Sequence, residues 1–107
     1  VSLGDDVSGS AKTWSVYLLR CGDGSLYTGI ARNVAQRFDA HARGRGARYT
    51  RGRGPLTLVY VEPAACHGDA LRREASLRRL SRAEKEVVIA RFAAVIAARG
   101  TGRGTTP

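Results

Sequence analysis

Two short apolar and aromatic runs stand near the start of the chain, Trp14 to Arg20 (WSVYLLR) and Ser25 to Ala31 (SLYTGIA), separated by Cys-Gly-Asp-Gly. Their β-branched and aromatic content predicts two strands of a hairpin. Loop parity decides which side chains share a face. A three-residue loop Gly22-Asp23-Gly24, with Gly24 left-handed, sets Tyr17 opposite Gly29 and Tyr27 opposite Leu19, so both tyrosines lie on one face. A two-residue Asp23-Gly24 turn would put them on opposite faces. In the first register Val16, Leu18, Leu26 and Ile30 form an apolar face that needs a helix over it.

The period then changes. Asn33 is a suitable N-cap, and Val34 to Arg43 contains no breaker before Gly44, which predicts a helix. Asn33, Arg37 and His41 fall four apart on one stripe, beside an apolar stripe of Val34 and Phe38. Arg43 to Pro55 (RGRGARYTRGRGP) is too rich in glycine for regular structure and predicts a flexible basic loop. Leu56 to Glu62 (LTLVYVE) predicts a third strand ended by Pro63. A right-handed crossover through the first helix leaves room for strand one in the middle, giving order 2-1-3 with antiparallel neighbours. Asp69 is placed to cap a second helix reaching about Leu80. Ser81 and Glu84 form a capping box for a third, whose stripe of Val88, Phe92, Val95 and Ile96 runs until Gly100 stops it. The expected fold is α+β: a small three-stranded antiparallel sheet with about three helices, one domain over 13–99, and flexible tails at 1–12 and 100–107.

Composition narrows the function. A chain of 107 residues buries roughly 60 to 70% of its unfolded surface and folds without staples. Cys21 and Cys66 stand far apart with no CxxC pair, which argues against structural zinc and a disulfide framework and for free thiols in a reducing cytoplasm. No run reaches the ~18 apolar residues of a membrane span, and no signal pattern opens the chain. The net charge of +9 points to a polyanion, with nucleic acid foremost and an acidic protein surface as the alternative. With 16 Arg against 2 Lys, part of that excess reflects base composition, so placement counts for more than total.

Three groups of residues can carry chemistry. A short connection at Ala31-Arg32 brings Arg37 near Tyr17 and Tyr27. A guanidinium there can hold a phosphate by paired hydrogen bonds, and a tyrosine hydroxyl can orient or deprotonate a water. The plainer reading is two amphipathic strand tyrosines and a surface charge. His41 is a candidate proton carrier, whereas His67 reads as surface. Glu74, among arginines, pairs with Arg78 at i, i+4 or serves as the lone carboxylate ligand of one Mg²⁺ that keeps most of its water. Arg43, Arg45, Arg48, Arg51 and Arg53 can track a nucleic-acid backbone while Tyr49 stacks on a base.

The order of Val16-Tyr17-Leu18-Leu19, then Tyr27-Thr28-Gly29, then NxxxRFxxH from Asn33 to His41, then Glu74, resembles the GIY-YIG endonuclease superfamily, in particular its small stand-alone bacterial members. The resemblance covers Trp14 to Ser81. It implies a three-stranded antiparallel sheet and hydrolysis of a phosphodiester with one divalent ion, Mg²⁺ or Mn²⁺. It implies Tyr17 as the general base toward water, Tyr27 as a site-orienting residue, and Gly29 as the point of close approach. Arg37 would stabilise charge on the phosphate, His41 would stand where the family places Tyr or His, and Glu74 would hold the metal. DNA is favoured over RNA, with structure-specific cleavage in repair or recombination as the expected setting. The chain departs from the pattern in having Ser15-Val16 for the opening Gly-Ile, no Lys after Gly29, and no Asn near Lys85 or Glu86. The alternative is a DNA- or RNA-binding module of the same fold without useful turnover.

Overall fold

The computed structural model describes residues 13–104, with side chains described through residue 98. Strand β1 (Trp14–Arg20) pairs antiparallel with β2 (Leu26–Ala31) in the three-residue-loop register, Tyr17 opposite Gly29 and Leu19 opposite Tyr27. Gly24 has φ +88° and Cys21 N–H donates to Ser25 O at 2.8 Å, closing the loop. The Asp23 carboxylate accepts from Ser25 N–H at 2.9 Å, adding a side-chain turn.

Strand β3 (Thr57–Ala64) pairs antiparallel with β1, giving the order β2-β1-β3. It does not end at Pro63, which pairs with Ser15 inside the strand. As an outer strand β3 tolerates a residue without N–H. A bulge between Leu18 and Leu19 shifts their partners from Tyr60 to Leu58.

Helix α1 (Val34–Ala42) is capped by Asn33, whose Oδ1 accepts from Gln36 N–H at 2.9 Å. Helix α2 (His67–Arg79) begins two residues before Asp69. Cys66 holds the cap position without a side-chain bond, and Asp69 lies in the first turn, paired with Arg72 and suited to the positive end of the helix dipole. His67 is therefore helical and exposed, its ring tilted against that of Trp14 at 4.3 Å between centroids. Helix α3 (Arg82–Gly104) starts on the expected capping box: Ser81 N–H donates to Glu84 Oε1 at 2.8 Å and Glu84 N–H to Ser81 Oγ at 3.1 Å. Gly100 does not stop it. Glycine lowers helix propensity by about 1 kcal/mol yet keeps its donor. Of the tails expected at 1–12 and 100–107, residues 100–104 instead continue α3, while 1–12 and 105–107 lie outside the described residues.

Both faces of the sheet are covered. Val16 packs with Ala70 and Leu77 of α2, with Ile30, Leu80 and Val88 around them. Tyr17, Leu19 and Ala31 pack on the opposite face against Val34 and Phe38 of α1 and Leu58 and Val61 of β3. Each large apolar side chain fully buried here contributes about 1.5–3 kcal/mol. The α3 stripe is buried only in its first half: Phe92 meets Tyr60 edge-on at 5.3 Å, but Val95 and Ile96 are 49% and 46% exposed. At 1.5 Å per residue a helix of 23 residues runs about 34 Å, longer than the strands it packs on. Paired hydrogen bonds orient the helices on the sheet, Arg20 to Glu86 at 2.8 Å and Arg73 to Glu62 at 3.0 and 3.1 Å.

The basic loop is not free. A 3-10 turn at Arg48–Thr50 interrupts it, Gly22 N–H donates to Arg53 O, and Arg53 pairs with Asp23 at 2.6 Å. These partners of Arg53 lie about thirty residues away, beyond the reach of local composition.

Candidate active site

The hairpin register determines the centre of the site. Tyr17 reaches across Gly29, where an added Cβ would lie 2.5 Å from the Tyr17 hydroxyl oxygen, so only glycine leaves that hydroxyl its place. The ring of Tyr27 lies 6.4 Å from that of Tyr17 and 5.2 Å from that of His41. His41 comes from the stripe of α1 that carries Arg37, and it is buried, as is Tyr17. Tyr17 Oη and His41 Nε2 are 2.9 Å apart.

The contacts of the second ring nitrogen bear on the direction of that bond. His41 Nδ1 lies 2.9 Å from Thr50 Oγ1, and the Thr50 hydroxyl lies 2.9 Å from Ala47 O, which can only accept. One assignment gives all three short contacts a donor and an acceptor: Thr50 O–H donates to Ala47 O, His41 Nδ1–H donates to Thr50 Oγ1, and Tyr17 O–H donates to Nε2. Ala47 N–H also points at Nδ1, at the longer distance of 3.3 Å, and is the one contact that this tautomer leaves without an acceptor. Gly46 permits the loop to press on this ring, since a Cβ there would overlap the imidazole.

Burial, together with the neighbouring Tyr27 and Glu74, pushes the Tyr17 hydroxyl up to about 12 against the Arg37 guanidinium, which holds it down. Burial, with Arg37 beside it, lowers the His41 pKa below its usual 6.5. Tyr17 is thus protonated and His41 is a neutral acceptor at neutral pH. Arg37 and Glu74 are thus within electrostatic reach of the Tyr17 hydroxyl. Glu74 is tied to the β2 edge: Arg78 Nη2 donates both to Thr28 O at 3.3 Å and to Glu74 Oε2 at 3.0 Å. The i, i+4 pair is therefore formed, with the Glu74 side chain only 17% exposed.

No group of three or more His, Cys, Asp or Glu side chains suited to a metal occurs among the described residues. One largely sheltered carboxylate beside a basic surface fits a Mg²⁺ or Mn²⁺ ion that keeps its waters and shares phosphate oxygens, and does not fit an all-protein cage.

Tyr17, Tyr27, Gly29 and His41 are in contact, and Arg37 and Glu74 lie near enough to act electrostatically on the Tyr17 hydroxyl. The loop residues divide. Tyr49 stacks on Tyr27 at 5.9 Å with Arg53 over its ring at 4.3 Å, so its ring is engaged within the protein. Arg43 pairs with Asp39 and Arg53 with Asp23, whereas Arg45, Arg48 and Arg51 form no ion pair among the described residues. Sequence reasoning missed Thr50 and Gly46. Thr50 carries no sequence signal for its role; Gly46 shares its type with its neighbours.

The GIY-YIG catalytic domain family matches residues 13–86 of this chain. The chain belongs to the GIY-YIG family. Within it, the chain is 48% identical over 77 residues to a UPF0213 protein of Cronobacter sakazakii, covering 72% of this chain and 81% of that one. It is 49% identical over 75 residues to a UPF0213 protein of Pseudomonas aeruginosa, covering 70% and 72%. The solution NMR structure of a UPF0213 protein from Bacillus halodurans shares 44% identity, with a TM-score of 0.48, covering 73% of this chain and 83% of that one. The GIY-YIG catalytic domain points to a nuclease. No helix among the described residues is long and apolar enough to cross a membrane. Cys21 and Cys66 are free, one buried and one exposed.

Proposed function

We propose that this chain is an endonuclease that hydrolyses phosphodiester bonds in DNA with the help of one Mg²⁺ or Mn²⁺ ion. The observation that carries the reading is the buried Tyr17–His41 hydrogen bond within reach of both Arg37 and Glu74. A tyrosine with a pKa near 12 is a poor base alone. Coupled to a neutral imidazole it can take a proton from water while its own passes to His41 Nε2, so no free tyrosinate need accumulate. Thr50 holds the imidazole in the tautomer that leaves Nε2 open. Arg37 balances the charge that grows on the non-bridging phosphate oxygens as water adds to phosphorus. Glu74 would hold the metal ion, which when bound supplies positive charge to the phosphate and the departing oxygen. Arg45, Arg48 and Arg51 line the approach for the backbone, and branched DNA of the kind met in repair and recombination is the first substrate to try.

Purified protein with Mg²⁺ or Mn²⁺, given branched, single-stranded and duplex DNA and matched RNA, is expected to cut DNA. Arg37→Ala and Glu74→Ala are each expected to lower cleavage by about 10² or more. Cleavage that survives both changes, or salt-sensitive binding without products, would contradict this reading.

A further inference from the structure

Strand β2 is an outer strand, and its free edge is only partly covered. Arg78 caps Thr28 O and Arg82 Nη2 donates to Gly24 O at 2.7 Å, so α2 and α3 lean on that edge at two points. Beside these contacts an open groove of about 330 Å³ is lined by Leu26, Tyr27, Thr28, Tyr49, Arg78 and Lys85. It begins at Tyr27, a residue of the site, and Arg78 touches Glu74.

The charges of this groove are unbalanced. No acidic residue lines it. Lys85 is half-buried and forms no ion pair among the described residues; the acid one position on, Glu86, is taken by Arg20 and Arg82. Arg78 makes its two contacts through Nη2, so its Nη1 and Nε remain available, on a side chain 58% exposed. The stacked pair Tyr27 and Tyr49 forms an aromatic wall. Two cations beside an aromatic wall suit a phosphate with its nucleotide.

We propose that this groove binds the nucleic-acid backbone next to the scissile phosphate, with Lys85 and Arg78 on one flanking phosphate and the Tyr27–Tyr49 wall against its nucleotide. This rests on the nuclease reading of the adjoining site. The strand then follows the β2 edge, and the contacts of the basic loop lie along a separate part of its path. Lys85 tests the claim more cleanly than Arg78, which also holds Glu74.

The experiment titrates fluorescein-labelled branched DNA without metal, by anisotropy across a salt series, and follows single-turnover cleavage with Mg²⁺ at saturating protein. Arg91→Gln is the charge-matched control, because Arg91 lines a groove with Tyr60 and Phe92 at the opposite, β3 edge. Lys85→Gln is expected to weaken binding about fivefold and to flatten the log–log salt slope by about 0.9 on duplex arms, with the saturated cleavage rate kept within about twofold. Lys85→Arg is expected to restore both affinity and slope, and Arg91→Gln to stay within about twofold of the wild type. Lys85→Gln that matches Arg91→Gln in affinity and slope overturns the groove, as does wild-type protein that fails to bind. Wild-type protein that binds but never cuts overturns the nuclease reading, while the Lys85 comparison still decides the groove.

Discussion

At the scale of single residues, the site is two proton-bearing groups whose ordinary tendencies are reversed by burial. Tyr17 is held protonated, up to about 12, and His41 is held neutral below its usual 6.5. The sign of the pH dependence follows. Cleavage needs neutral His41, so single-turnover rate is expected to rise with pH through a limb lying below 6.5 and then to stay level through neutral and mildly alkaline pH. A limb centred above 7 would contradict the assignment of His41 as acceptor. The same shifts bear on stability: the folded protein resists protonating His41, so that contribution is complete above 6.5 and is lost as pH falls below it. Tyr17 acts at the other end, its contribution present below the ordinary 10 and lost as pH climbs toward about 12. Thr50→Val removes the acceptor for Nδ1–H without removing a reacting group. It is expected to lower the plateau rate by about tenfold or more while leaving the acid limb below the ordinary histidine range. An unchanged plateau would show that Thr50 does not position the imidazole. Tyr17, Arg37 and His41 were legible in the sequence because strand alternation and helical spacing place them. Thr50 was not, since its role depends on a loop folding back onto a helix nine residues earlier.

At the scale of elements, local chemistry and distant contacts divide the outcome. Glycine parity in the hairpin, the Asn33 cap and the Ser81–Glu84 box are local, and each forms as its residues predict. The start of α2, the passage of β3 through Pro63 and the ordering of Arg43 to Pro55 are set by partners elsewhere. Trp14 packs against His67 where α2 begins, Ser15 pairs with Pro63, and Asp23 and Tyr27 hold Arg53 and Tyr49. Gly29 shows how the scales join, because one absent methyl group lets a strand residue reach across its neighbour. The capping box gives a clean check on element stability. Ser81→Ala is expected to cost about 1 kcal/mol, read from the urea midpoint at unchanged slope, with single-turnover cleavage unaltered. A neutral effect would mean that α3 is held by its packing and the Glu86 ion pairs alone.

Across the whole molecule, acids and bases are not mixed evenly. Among the described residues Asp23, Asp39, Glu62, Asp69, Glu74 and Glu86 are in ion pairs and Glu84 serves a cap. Among the described residues Arg45, Arg48, Arg51 and Lys85 form no ion pair, so the acids leave part of the basic surface unmatched. This placement, more than total charge, supports a polyanionic substrate near the tyrosine site. The central claim is that Tyr17 passes a proton during phosphodiester hydrolysis, and it is tested most directly by removing one oxygen atom. Single-turnover cleavage of branched DNA with Mg²⁺ by wild-type protein and Tyr17→Phe, with DNA affinity measured alongside, is the decisive comparison. The account predicts that Tyr17→Phe binds DNA within about twofold of wild type and cuts it slower by about 10² or more. Equal cleavage rates in the two proteins would contradict it.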